Sequence, residues 1–107
     1  MDSDQADAAA LARALLPRLR RWDAASWSVR VAGRVRADVA AEAVQRLADA
    51  DANAEGQPRR PVPRLADTSL ADQLTVVVED GLRTGDPAAL RTVAAELGAL
   101  RAALGLR

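Results

Sequence analysis

The side chains able to do chemistry in this sequence are carboxylates, guanidinium groups and a few hydroxyls. Histidine and cysteine are both absent. Their absence removes thiolate nucleophiles, imidazole bases, disulfides and the Cys/His sets that hold structural zinc. Ser26, Ser28 and Ser69 have no histidine to activate them, which excludes a serine hydrolase of the usual kind. Glu79 and Asp80 could be offered as an acid and base pair. Adjacent residues point about 100° apart on a helix, however, and do not converge on one substrate. A solvated helix face, with Glu79 pairing Arg83, accounts for them better.

Four Arg-x-x-Asp strings run from Arg20 to Asp23, Arg46 to Asp49, Arg64 to Asp67 and Arg83 to Asp86. Each could present a guanidinium and a carboxylate to a guanine-like ligand. Opposite charges three residues apart are also ordinary helix neighbours, each pair contributing about 0.2–0.5 kcal/mol, and that is the reading adopted. No catalytic, cofactor-binding or metal-ligating residue is assigned, no cofactor is expected, and the chain is read as not being an enzyme.

The remaining chemical signal is a basic block. Residues 17–36 hold Arg18, Arg20, Arg21, Arg30, Arg34 and Arg36 against Asp23 alone, beside Trp22 and Trp27. Guanidinium groups for phosphates and indoles for base stacking are what a nucleic-acid surface uses. The balance of the whole chain weakens that reading. Fifteen Arg, with no Lys, are matched by fifteen Asp plus Glu, so the formal net charge is zero and no global field favours a polyanion. Acidic blocks at 37–58 and 65–86 flank the basic ones, which favours pairing within or between chains. No short helix, glycine turn and independent recognition helix marks a helix-turn-helix.

The elements that must position these residues are legible first in the C-terminal third. Leu90, Val93, Leu97, Leu100 and Leu104 recur at alternating spacings of 3 and 4, which keeps them in one narrow helical stripe. Asp86 can cap this helix and Pro87 suits its first position, where an absent N–H costs nothing. The helix before it carries Leu70, Leu74, Val77, Val78 and Leu82 on one side, with Thr68 or Ser69 as cap and Gly85 as the left-handed residue after its end. So short a break predicts two antiparallel neighbours. Beside the leucine seam of the last helix lie small residues, Ala94, Gly98, Ala102 and Gly105, which allow another helix backbone to approach closely.

Upstream, Leu11, Leu15, Leu16, Leu19 and Trp22 share one face of a helix starting near Ser3 or Asp4, and Pro17 predicts a kink or an interruption in it. From Trp27 the chain is ambiguous, because Trp27, Val29 and Val31 alternate with Ser28 and Arg30 as a strand would. The helix reading is preferred. Trp27, Val31, Val35, Val39, Ala43 and Leu47 recur every four residues, and a lone strand would have no partner. Three prolines in six residues then mark 56–65 as an extended linker, with Val62 and Leu65 as its candidate anchors.

The expected fold is all-α: a four-helix bundle over about 4–21, 27–54, 69–84 and 87–105, with a C-terminal antiparallel helical hairpin and a Pro-rich crossover linker. Its 107 residues suffice for one domain with an aliphatic core, since there are two Trp and no Phe or Tyr. Residues Met1 to Asp7 are acidic and no apolar run is long enough to span a membrane, so a cytoplasmic protein without signal peptide is expected. The expected function is a regulatory or protein–protein interaction module that forms a homodimer or another homo-oligomer, or docks a partner helix. Its contact residues would be Leu97, Leu100, Leu104, Ala94, Gly98 and Ala102. A nucleic-acid-binding regulator using the six arginines is the alternative.

Overall fold

The computed structural model describes residues 3–106, so the part of the acidic N-terminus formed by Met1 and Asp2 lies outside the described residues. Helix α1 spans Ser3–Arg20 and a short α2 spans Ala24–Trp27. Strands β1, Arg30–Val31, and β2, Arg34–Val35, lead into α3, Arg36–Ala54. After the proline segment a 3₁₀ turn at Asp67–Ser69 opens α4, Leu70–Thr84, and α5 follows at Pro87–Ala103. The chain is mostly helical, with strand confined to four of the described residues.

The helix expected over 27–54 is not continuous. Ala24–Trp27 is one helical turn, capped by Asp23, whose Oδ1 accepts from the Ser26 amide at 2.9 Å. A two-residue hairpin follows, with Arg30 opposite Val35 and Val31 opposite Arg34. Ala32 and Gly33 both have positive φ, 51° and 80°. That combination gives a turn whose twist matches the strands it joins. A lone strand here would have no partner, yet the partner is three residues downstream. The spacing of four was therefore not one helical stripe: Trp27 belongs to α2, Val31 and Val35 to the strands, and only Val39, Ala43 and Leu47 to α3.

Elsewhere the local chemistry acts as its residue types require. Asp86 caps α5 through a bond from the Ala89 amide at 2.9 Å, Pro87 occupies the first turn, and Gly85 closes α4 at φ 64°. Ser69 stands at the start of α4 but makes no side-chain capping bond, because the 3₁₀ turn leads directly into the helix. Pro17 interrupts nothing: α1 runs through it to Arg20. Pro17 lies on the exposed side one turn from the helix end, where water can satisfy the carbonyl left without a donor.

Helix packing is set by the apolar faces. The core is aliphatic apart from Trp27, and it includes Leu15, Leu16 and Leu19 of α1, Val44 and Leu47 of α3, Leu74 and Val78 of α4, and Val93, Leu97, Leu100 and Leu104 at the C-terminal end. The most extensive contacts join α3 to α4 and α1 to α5, followed by α3 to α5. Gln5 donates to the Leu82 carbonyl and Arg20 to the Thr75 hydroxyl, so α1 and α4 run in opposite directions. Arg36 reaches the Leu104 carbonyl and Arg46 the Glu96 carboxylate, which gives α3 and α5 opposite directions too.

The proline segment is held by two glutamines. Gln45 of α3 donates to the Arg60 carbonyl at 3.0 Å and accepts from the Val62 amide at 2.8 Å, while Gln73 of α4 donates to the Pro63 carbonyl at 3.1 Å. Val62 packs against the core as expected. Leu65 does not, being 53% exposed.

Candidate functional site

The first place where chemistry-bearing residues gather is the corner between the end of α1 and the start of α3. Trp22 and Trp27 meet edge to face, with ring centroids 4.9 Å apart, and the Arg36 guanidinium lies 4.4 Å above the Trp22 ring. The same guanidinium donates to the carbonyls of Leu104 and Ser26 at 3.0 and 3.3 Å. One side chain thus joins α2, α3, the end of α5 and the aromatic pair. Trp27 is fully buried and Trp22 half-buried. The two indoles are packed against each other instead of being presented as a stacking platform.

Several of the six arginines of the basic block are bonded within the chain. Besides Arg36, Arg20 is bonded to Thr75 of α4, and Arg34 makes a two-pronged pair with Glu42 at 2.7 and 2.9 Å. That pair lowers the Glu42 carboxyl below its usual value and raises the Arg34 guanidinium, chiefly through the hydrogen bonds between them. Arg30 bonds the Gly33 carbonyl across the hairpin turn. Arg18, Arg21 and Arg30 have exposed side chains.

The Arg-x-x-Asp strings resolve into separate tasks. Asp23 and Asp86 are helix caps, and the bond from Ser26 draws the Asp23 carboxyl below its ordinary value. Arg64 pairs with Asp67 at 3.3 Å but also with Asp38 of α3 at 3.2 Å. Arg46 pairs with Glu96, and Arg83 pairs with Asp80 instead of the expected Glu79. Basic and acidic blocks therefore do pair within the chain.

On α5 the six residues expected to contact a partner divide in two. Leu97, Leu100 and Leu104 are buried in the chain's own core, so the leucine seam faces inward and offers no accessible surface. Ala94 is half-buried against that core, whereas Gly98 and Ala102 are exposed. With Ala95 and Ala99 these two form an outer face of small residues between Arg91 and Arg101. A Cβ built at Gly98 would meet no atom within 4 Å beyond its own stretch of helix.

A residue that the sequence reading left among the acidic blocks proves to be the most unusual one. Asp51 lies on the inner side of α3, one turn beyond Leu47, and is only 7% exposed. No described group hydrogen-bonds either carboxylate oxygen. Burial, reinforced by the nearby charges of Asp80 and Glu55, raises its carboxyl from 3.8 to about 7. Gly81 of α4 makes the room: a Cβ there would stand 2.9 Å from Asp51 Oδ1 and 2.8 Å from Val93 Cγ2 of α5. The signal was present in the spacing, since Val44, Leu47 and Asp51 continue one stripe at intervals of 3 and 4.

Among the described residues no grouping of three Asp or Glu could hold a metal ion. No described helix is long and apolar enough to cross a membrane. The chain matches no protein-family model, no curated protein and no solved structure, so its functional reading rests on the geometry above.

Proposed function

We propose that this protein is a small non-enzymatic interaction or regulatory module that associates with a second copy of itself through the outer face of α5. On this reading the four long helices form one bundle, with α4 and α5 as its antiparallel hairpin, and the outer side of α5 is left for a neighbour. The observation that carries the reading is the exposed run Ala95, Gly98, Ala99 and Ala102, which contains no charge and no bulky side chain. Such a surface lets a second helix come close and has little hydration to lose. A docked helix of another protein is the other occupant the same face would accept.

The test is the solution mass by light scattering over a concentration series, for the parent and for Gly98→Leu. Open space around Gly98 means the added side chain leaves the fold intact. The parent is expected to reach dimer mass, and the variant to remain monomeric at concentrations where the parent associates. A parent that stays monomeric throughout, or a variant that assembles as the parent does, overturns the self-association reading.

Nucleic-acid binding is the second reading, and the exposed side chains of Arg18, Arg21 and Arg30 favour it. The test is to change the exposed Arg18, Arg21 and Arg30 to Ala together. An affinity for DNA or RNA at low salt that does not drop in this triple variant removes the reading.

A further inference from the structure

The Asp51 carboxylate is enclosed by α3, α4 and α5 with nothing to compensate a charge. From α3, Glu55 stands one turn further on, and from α4 the nearest ionisable side chain is Asp80, itself paired with Arg83. From α5, Val93 packs on the same Gly81 that faces Asp51, and it carries no charge. The proline segment contributes Arg60 to the wall of the groove of about 440 Å³ that runs over Asp51, Glu55 and Asp80. Arg60 makes no bond to Asp51, whose oxygens are both sealed from solvent. An ionised Asp51 would therefore face two like charges, with no hydrogen bond from any described residue to offset them. The neutral acid fits the same space, so a proton is the occupant this pocket accepts.

The neighbours make this more than a packing fault. Gly81 gives up a side chain to admit the carboxyl, and the same Gly81 touches Val93 just before and just after the α4–α5 break. The carboxyl thus stands where α3, α4 and α5 meet, under a linker held by Gln45, Gln73 and the Arg64–Asp38 pair. We propose that this junction is a proton-operated latch: it is closed while Asp51 carries a proton, and ionisation of Asp51 opens the α4–α5 corner locally and widens the groove beneath the proline segment. The device is separate from the outer face of α5 and does not depend on self-association.

Two measurements on the full chain test it. The first follows the side-chain carboxyl carbon of Asp51 by NMR across a pH titration. A midpoint near neutrality is expected, and a midpoint in the ordinary range, below about 5, overturns the proposal. The second is amide hydrogen exchange across 77–93, corrected for the intrinsic pH dependence of exchange. If the open corner restores an ordinary carboxyl, linkage makes opening about tenfold more frequent at pH 8 than at pH 6. The Asp51→Asn variant should lose that dependence. Exchange in the parent that is flat with pH sinks the latch even if Asp51 titrates near neutrality. Because both readouts are taken on the parent chain, the decision stands even if Asp51→Asn folds poorly.

Discussion

Two glycines in neighbouring helices illustrate why a residue type has no fixed effect. Glycine inside a helix normally costs about 1 kcal/mol relative to alanine, through backbone freedom lost on folding. Gly98 on α5 has open space around it, so Gly98→Ala should stabilise the protein by roughly 0.5–1 kcal/mol. Gly81 on α4 is held between Val93 and Asp51 at distances no Cβ tolerates. Gly81→Ala should therefore destabilise by about 1–3 kcal/mol, overpacking outweighing the gain in propensity. Chemical denaturation of both variants checks the opposite signs. Stabilisation by both variants would mean that helix propensity alone governs both sites. Either glycine could have been read from the sequence as helical; which of them was crowded could not, because the crowding comes from α3 and α5.

At the scale of elements, the informative one is the hairpin at 30–35. Its loop is Ala32–Gly33, and alanine pays a steric cost at φ 51° that asparagine tolerates better. Ala32→Asn should raise stability by a few tenths to about 1 kcal/mol, while a β-branched residue such as Val at the same position should lower it. Thermal melts of the two variants measure this, and equal melting temperatures would contradict the positive-φ turn. The C-terminal turn packs on this hairpin, with the Gly105 backbone near Val31, so the hairpin ties the middle of the chain to its end. The caps and breaks of α4 and α5 were legible because Gly85, Asp86 and Pro87 act on their own backbone. The hairpin was misread because its pairing is a contact between segments, and Ala-Gly carries a weaker turn signal than Asn-Gly.

For the whole molecule, the radius of gyration is 13.2 Å, close to the about 13 Å expected of a compact chain of this length, so the proline segment does not hold two halves apart. Stability should depend on pH mainly through Asp51. Its carboxyl titrates at about 7 in the folded protein and at 3.8 when unfolded. Between these values the folded state keeps a proton that the unfolded state gives up. Stability is therefore greatest below about pH 4, falls as pH rises towards 7, and levels off above; the full effect is at most roughly 4 kcal/mol. The carboxyls of Asp23 and Glu42 are lowered instead, so their contributions are present at neutral pH and fade in acid. Both are exposed and should shift the profile little. Denaturant unfolding between pH 4 and 8 tests the slope. The slope should flatten in Asp51→Asn, and a parent protein that gains stability from pH 4 to 7 would contradict the account.

By itself the sequence determined what depends on near neighbours in the chain. The helical stripe of Leu90, Val93, Leu97, Leu100 and Leu104, the Gly85–Asp86–Pro87 break, the proline segment and the aliphatic core all follow from periodicity, capping chemistry and side-chain volume. Tertiary structure decided everything that depends on which faces meet. It turned the leucine seam inward, spent Arg20, Arg34 and Arg36 on partners of their own chain, and enclosed Asp51 against Gly81 and Val93. Periodicity says that a helix has an apolar side. Only the packing of other elements onto it says whether a given side chain is core, surface or a buried acid.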